Sequence, residues 1–223
     1  MKIAVQTEDF NLLKEASRSS CNIIRFGPEF CEYNLPNLET LEKAYSIATG
    51  EGKEFTFVTP RLSNSGIERV RRLLPHLDGK GRVGVVFNDL GTLKLLSQYK
   101  NIQPRLGRLM IRVPARSPWA EKIAEEGLIA VRRYPRIDQL IPGGFFVKRW
   151  YEKLFSYTSL YYEPTIDFYK SRGVRIVEVD WIPRLYPRFA PLMRHGLGIS
   201  VHLGYYPVTM TRKCHTARYL GEE

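Results

Sequence analysis

The feature that most constrains this sequence is the alternation of short β-branched runs with segments whose apolar residues recur at helical spacing. The predicted strands are 2–6, 22–26, 54–59, 82–87, 106–111, 174–179 and 197–203. The predicted helices lie between them, at 38–48, 67–74 and 90–99 and around Ile166. A connection between parallel strands must be long enough to hold a helix. The alternation therefore predicts an α/β fold with parallel strands and covering helices.

The number of strands narrows the fold further. Seven parallel strands suit a TIM-barrel-like fold, either closed or incomplete, and a doubly wound open sheet is the competing topology. A chain of 223 residues has room for one substantial core, so we expect a single domain over 1–223. The alternation fails at about 112–162, where prolines and basic residues beside aromatic ones predict an elaborated connection on one face of the barrel.

Positive charge is concentrated in the same part of the chain. The net charge is +11, and residues 101–160 hold eleven Lys and Arg against five Asp and Glu, an excess of +6. Such an excess attracts RNA or another anionic ligand through its electric field. A solvated surface that favours solubility is the alternative interpretation. The aromatic residues at 145–157 could stack on nucleobases, or could pack beneath a loop.

Composition also bears on where the protein works. No stretch approaches the roughly 18 apolar residues of a membrane-spanning helix, so we expect no membrane span. The apolar start is too short for a secretory signal. Three cysteines are too few for a disulfide framework, and each could be a buried apolar side chain. These features favour a cytoplasmic protein.

Polar residues end or follow several predicted strands, where parallel α/β folds gather their binding groups. They are Arg25, Glu29 and Cys31 at the end of the second strand and beyond it, Asn88 and Asp89 after the fourth, Asp180 after the sixth, and His202, Tyr205, Arg212 and Cys214 at the end of the last strand and beyond it. Both Cys31 and Cys214 follow strands and should lie on the same rim, which suggests a shared site.

Each of these residues also has a simpler interpretation. Asn88 and Asp89 could cap the helix that begins at Leu90, since both accept hydrogen bonds from free helix N–H groups. Arg25 and Glu29 could form an ion pair within the site. His202, like His215, could assist a metal or a proton transfer, or could be structural. Phosphate-loop, HExxH, GxSxG and CxxC motifs are absent from the sequence, so it contains none of these familiar chemical signatures.

Three stretches resemble one known family. The segments are RFGPEFC at 25–31, VFNDLG at 86–91 and GYYPVTMTRKCHTAR at 204–218. They are similar to motifs of the collagenase-like peptidases, family U thirty-two, in the branch that contains the UbiU and UbiV proteins. The third stretch, which ends at Arg218, is the most specific, and the three occur in the family's order.

The resemblance implies a barrel-like fold and a [4Fe–4S] cluster held by four cysteines, because thiolates are the ligands such clusters require. Cys31 and Cys214 match the first two ligand positions. Relatives act in oxygen-independent hydroxylation, either of a quinone precursor in ubiquinone biosynthesis or of tRNA, and a homologous partner subunit is a further expectation. Substrate-binding roles are expected for Arg25, Glu29, Asn88, Asp89, His202, Tyr205, Arg212 and Arg218.

The sequence departs from the family in its remaining cysteines. In the family, two more follow the third motif by about a dozen residues or more, whereas this sequence stops at Glu223. The chain could be a fragment without its cluster-completing tail. A partner could supply the missing ligands, or the cluster could have been lost. Two other functions stay open: a collagenase-like peptidase, and a non-catalytic subunit that binds RNA or protein.

Overall fold

The computed structural model of the chain describes residues 1–112, 158–180 and 190–203. Seven strands form one parallel sheet whose spatial order follows the sequence. The strands are β1 (Ala4–Thr7), β2 (Ile23–Phe26), β3 (Glu54–Val58), β4 (Val83–Phe87), β5 (Ile102–Leu106), β6 (Ile176–Asp180) and β7 (Gly198–His202). The sheet curls into a half-barrel. The TIM-barrel-like, incomplete fold is confirmed, and the doubly wound alternative is wrong, because that topology reverses strand order in the sheet.

A helix lies between each pair of consecutive strands. The helices are α1 (Phe10–Arg18), α2 (Leu38–Gly50), α3 (Asn64–Gly79), α4 (Leu90–Leu96), α5 (Glu163–Ser171) and α6 (Ala190–Arg194). Four of them begin at a polar side chain that accepts a hydrogen bond from a free N–H group of the first turn. These N-caps are Asp9, Asn37, Ser63 and Asp89. Local sequence thus sets where these helices start.

The outer face of the sheet carries the main hydrophobic core. Alternate residues of the central strands, such as Ile24, Phe57 and Phe87, point toward the helices and are fully or almost fully buried. The helices cover them with Leu13, Leu41, Leu74, Leu93 and Ile166. Burial of this apolar area on one face supplies the main driving force for folding.

The inner face has a different character. Gln6, Arg25 and Thr56 are neighbours across β1, β2 and β3 in the strand register, and neighbouring residues of parallel strands project on the same side. The curl brings distant strands of this face together: Arg25 on β2 reaches Glu178 on β6 at 2.6 Å. In a flat sheet, strands four places apart would be separated by about 19 Å.

One predicted strand was wrongly placed. The sequence pattern predicted a strand at 106–111, whereas β5 ends at Leu106 and a 3₁₀ turn (Arg108–Met110) follows it. Pro104 lies inside β5, and pairing with β6 begins only at Arg105, the next residue. Proline has no N–H to donate to a neighbouring strand, so the early part of β5 does not look like a central strand.

The ends of the elaborated connection lie side by side. The Arg112 N–H donates to Ser159 Oγ at 3.0 Å, and the Ser159 N–H donates to the Arg112 carbonyl at 3.1 Å. Arg112 and Ser159, which flank the basic and aromatic segment, are therefore neighbours beyond β5. Residues 113–157 lie outside the described ranges. Within those ranges, no helix is long and apolar enough to cross a membrane.

We predict that Gly107→Ala destabilises the fold by about 2–4 kcal/mol, the combined effect of overpacking and disturbed buried hydrogen bonds. A β-carbon at Gly107 would lie 2.1 Å from Asn88 Oδ1 and 2.8 Å from the Phe87 carbonyl oxygen. Urea unfolding measures the change. Gly79→Ala is the control, since nothing lies within 4 Å of a β-carbon there. Equal effects of the two substitutions would contradict the packing argument.

Candidate functional site

A buried ionic triplet lies at the carboxyl ends of three strands on the inner face. Arg25 Nη2 donates to Glu178 Oε2 at 2.6 Å, and His202 Nε2 lies 3.1 Å from the same oxygen. Arg25 Nη1 is 3.4 Å from His202 Nε2. The Arg25 side chain is 4% exposed, that of Glu178 is 0% and that of His202 is 13%. Only the histidine retains appreciable access to solvent.

The environment of Glu178 keeps its carboxylate ionised. Burial raises the pKa of this group, but the charge of Arg25 and the hydrogen bond and charge of His202 together lower it more. The net pKa lies below its ordinary value of 4.5. A buried negative charge is therefore available to orient and stabilise a cation on its neighbours.

A second ionic group lies beside the first. Arg108 Nε and Nη2 donate to the two oxygens of Glu29, both at 2.6 Å, and Arg108 Nη1 donates to Asp180 Oδ1 at 2.6 Å. Burial lowers the pKa of Arg108, but the two carboxylates raise it further, so it stays protonated. Burial raises the pKa of Asp180 more than Arg108 lowers it, leaving the net pKa above 3.8.

Two glycines allow the chain to place these groups. Gly27 follows β2 with a φ of 124°, a conformation that favours glycine, and a β-carbon there would lie 2.4 Å from the Val58 carbonyl oxygen. The turn leads directly to Glu29. Gly107 follows β5 and leaves room for the Asn88 side chain. The 3₁₀ turn after it places Arg108 over the inner face.

Asn88 and Asp89 have structural contacts. Asn88 is fully buried, donates to the Thr59 carbonyl at 2.7 Å and accepts from the Leu109 N–H at 3.2 Å. Asp89 is the N-cap of α4 and also accepts from the Leu62 N–H at 3.2 Å. The capping interpretation is confirmed for Asp89. Asn88 instead joins the loops after β3 and β5.

The expected Arg25–Glu29 pair is replaced by two other pairs. Arg25 pairs with Glu178 and Glu29 pairs with Arg108, although all four side chains belong to one end of the sheet. The expected pair was wrong because the fifth strand was misplaced. With a strand predicted over 106–111, the turn that carries Arg108 to Glu29 was not expected. Neither pairing partner was among the residues expected from the sequence.

Among the described buried arginines of this face, Arg105 is the one that forms no ion pair or hydrogen bond with another described residue. It is 8% exposed, and its guanidinium lies across Gly84, where a β-carbon would be 2.6 Å from Nε. Burial lowers its pKa, while the charge of Glu178 raises it and that of Arg25 lowers it. The three charges therefore belong to one electrostatic environment.

The cysteines have distinct positions. Cys31 is half-buried and directly precedes the 3₁₀ turn (Glu32–Asn34) beyond β2. Cys21 is 3% exposed and its Sγ faces the Ala16 carbonyl oxygen at 3.2 Å, so it is directed into the core. Cys214, Tyr205, Arg212 and Arg218 lie outside the described ranges. Within those ranges, no group of three or more His, Cys, Asp or Glu side chains is arranged to hold a metal ion.

Three residues of the two ionic groups and their surroundings were not among the residues expected from the sequence. They are Arg105, Arg108 and Glu178. A signal for one of them existed: Glu178 stands between two valines in IVEVD, and a charged residue inside a buried strand needs a partner. Asp180 follows as the next residue on the same side of β6. The two arginines depended on the correct boundary of β5.

Comparison with known proteins finds no protein-family profile and no characterised protein that matches this chain.

We predict that Glu178→Gln flattens the pH dependence of stability below pH 4.5. The folded pKa of Glu178 is lowered, so its carboxylate stabilises the fold above the unfolded pKa. That contribution is lost as the pH falls through the folded pKa. Urea unfolding across this interval measures the effect.

The matched control is Asp180→Asn, whose effect has the opposite sign. The raised pKa of Asp180 means that its ionisation weakens the fold as the pH rises above 3.8, and the substitution removes this loss. An acid-side slope that is unchanged in Glu178→Gln would show that Glu178 is not the carboxylate responsible.

Proposed function

We propose that the protein is an enzyme that uses His202 as a general base toward a small polar molecule, with Glu178 as its orienting carboxylate. The observation that carries this proposal is the 3.1 Å contact between His202 Nε2 and Glu178 Oε2 at the carboxyl ends of β6 and β7. A carboxylate bound to one imidazole nitrogen fixes the tautomer and stabilises the imidazolium that forms on proton transfer. Among the described histidines, His202 is the one on the inner face.

The geometry assigns a direction to the proton transfer. Glu178 Oε2 is closer to Nε2 than Arg25 Nη1 is, and the carboxylate is ionised, so Nε2–H donates to Glu178. Nδ1 then carries the lone pair of the neutral imidazole and accepts the substrate proton. Arg25 holds Glu178 from the other side and keeps its charge in place. The setting that we propose is cytoplasmic.

A second candidate is the function that the sequence resemblance implies: an iron–sulfur protein in oxygen-independent hydroxylation of a quinone precursor or tRNA. It is favoured by the half-buried position of Cys31, beyond β2 near the groups described above. The chain has three cysteines, and Cys21 is directed into the core. Its own thiolates therefore do not complete a four-cysteine set, and the other ligands would come from elsewhere, such as a homologous partner subunit.

The two remaining alternatives receive less support. A thiol peptidase needs a histidine beside its nucleophile, and neither of the two described cysteines, Cys21 and Cys31, forms a hydrogen bond with a histidine. For RNA binding, two of the eleven basic residues at 101–160, Arg105 and Arg108, are buried in the inner face and so add little to a positive surface. The other nine include residues outside the described ranges, and an anionic partner for them stays a proposal.

We predict that purified protein incubated with a small-molecule cell extract consumes at least one metabolite, and that His202→Ala slows this consumption by about 100-fold or more. General-base groups contribute about 10²–10⁴-fold to rate. Mass spectrometry of the extract measures the loss. The control is His76→Ala, because His76 also faces a glutamate, Glu42, at 3.8 Å but on the exposed outer surface. Equal consumption by His202→Ala and unchanged protein would contradict the assignment.

For the second candidate, we predict that anaerobically reconstituted protein binds iron and acid-labile sulfide, and that Cys31→Ser and Cys214→Ser each reduce the bound iron. Thiolate ligands hold such clusters, and a serine replaces one ligand. Cys21→Ser is the control, because its sulfur lies in the core. Iron binding that is equal in all three variants, or absent from a longer chain and from a complex with a partner, would contradict the cluster.

A further inference from the structure

Among the residues that the structure describes, five buried polar atoms have no hydrogen-bond partner. They are Gln6 Oε1, Arg25 Nε, Thr56 Oγ1, Arg105 Nε and Glu178 Oε1. Such atoms are uncommon in folded proteins, because a buried polar group that loses its water without gaining a partner destabilises the fold. Each such atom therefore needs an explanation, such as a role in binding a ligand.

All five atoms belong to side chains on the inner face of the half-barrel. Gln6, Arg25 and Thr56 are register neighbours across three strands, and Thr56 is in turn beside Gly84. Arg105 pairs in register with Val86, two residues after Gly84, and with Ile176, two residues before Glu178. Side chains two residues apart in a strand share a face. The unpartnered atoms are thus a single patch rather than five isolated defects.

Arg105 gives this patch its chemical character. Its side chain is more than nine-tenths buried, yet no carboxylate lies within ion-pair distance of it among the described residues. By contrast, Arg25 and Arg108 each have a buried carboxylate at 2.6 Å. A buried cation without a counter-ion is unfavourable unless a ligand supplies the anion.

Gly84 provides the space in which the Arg105 guanidinium lies. Barrel interiors are ordinarily filled by bulky branched side chains from alternating strands. Here the strand facing Arg105 has no side chain at that level, and a β-carbon would be within 3.0 Å of three guanidinium atoms. The guanidinium therefore lies against β4, in the space that the missing side chain of Gly84 leaves.

We propose that this patch binds a small molecule that carries both an oxyanion, either a carboxylate or a phosphate, and hydroxyl groups. Arg105, together with the free Nε of Arg25, binds the oxyanion, since guanidinium groups match the geometry of carboxylates and phosphates. Glu178 Oε1 and Gln6 Oε1 accept hydrogen bonds from the hydroxyl groups, and Thr56 Oγ1 bonds to either part. This inference deepens the function proposed above and rests on the same inner face being the substrate site.

The ligand supplies a close counter-ion for Arg105. Among the described residues, Arg25 pairs with Glu178, and Arg108 is shared by Glu29 and Asp180. The second group therefore has one negative charge in excess, which offsets Arg105 over the face as a whole, but neither of its carboxylates lies within ion-pair distance of Arg105. A bound monoanion forms the close pair that Arg105 lacks.

Calorimetric titration with four probes at constant ionic strength tests the proposal: D-glycerate, glycerol 3-phosphate, inorganic phosphate and glycerol. Binding of glycerate alone identifies a carboxylate ligand, and binding of glycerol 3-phosphate identifies a phosphate ligand. Either result supports the site. At a probe concentration of about 100 times the dissociation constant, the thermal midpoint should rise by about 5–10 °C. Binding of none of the probes, or of glycerol as strongly as of the anions, would overturn it.

Arg105→Met separates a binding role from a structural one. The substitution should weaken probe binding by about 10- to 100-fold, the effect of losing a charge-assisted hydrogen bond, while the ligand-free midpoint stays equal or rises because an unbalanced buried charge is removed. Arg108→Met should instead lower the ligand-free midpoint, since it leaves Glu29 and Asp180 without their cation. If Arg105→Met lowers the midpoint as much as Arg108→Met does, Arg105 is a structural cation and the proposal is wrong.

His202→Ala distinguishes failure of the ligand site from failure of the acid–base proposal. The variant should retain probe binding within a few-fold, because the Arg105 guanidinium is untouched, while it loses metabolite consumption. If the probes bind but no metabolite is consumed, the anion site stands and the proposal of an enzyme is wrong. If Arg105→Met consumes metabolite as fast as the unchanged protein, the proposal of an enzyme stands and the proposed ligand is wrong.

Discussion

The ion pair between Arg25 and Glu178 defines the shape of this protein. Its two members belong to strands four places apart, so their 2.6 Å contact requires the sheet to curl rather than lie flat. The pair is almost fully buried, and each partner would be strongly unfavourable in that environment alone. The curl of the sheet and this ion pair therefore depend on each other. If the sheet flattened, the contact would break, and Arg25 and Glu178 would each lose the charge that compensates them.

The two faces of the sheet differ in their contribution to stability. The outer face packs phenylalanines and branched aliphatic residues against the helices, and this burial provides stability. In the described part of the chain, the inner face holds two ionic groups and five unpartnered polar atoms, which add little to the stability of the fold or lower it. A protein that places unfavourable groups on one face, while the opposite face supplies its core, has the arrangement typical of a binding site.

The fold class could be predicted from the sequence because the spacing of apolar residues distinguishes strands from helices. Runs of β-branched residues and helical stripes predicted six of the seven strands within a few residues and their parallel direction, while the order of the strands stayed open between a barrel and a doubly wound sheet. The fifth strand was misplaced for two reasons. Pro104 is untypical of a central strand, and the apolar residues Leu109 and Ile111 beyond its end resemble a strand pattern. Local patterns could not reveal that pairing with β6 starts at Arg105, since that depends on a neighbour some 70 positions away in sequence.

The candidate site was predictable only in part, for the same reason. Arg25, Glu29 and His202 were found because each follows or ends a strand, and topology alone brings such positions to one edge. Their partners could not be assigned, because charge pairing across a curled face depends on the amount of curl. Glu29 therefore pairs with Arg108 instead of its sequence neighbour Arg25.

Arg105 and Arg108 show how a small change in backbone course gives two like residues different roles. Arg105 is the last residue but one of β5 and lies across Gly84, while Arg108 follows the turn at Gly107 and reaches two carboxylates. If β5 continued as a strand through 108, the two side chains would project from opposite faces, because they are an odd number of residues apart. The 3₁₀ turn places both on the inner face. Arg108 then holds the loop after β2 and the end of β6 to the end of β5, whereas Arg105 has no carboxylate within ion-pair distance among the described residues and lies beside the pair that curls the sheet.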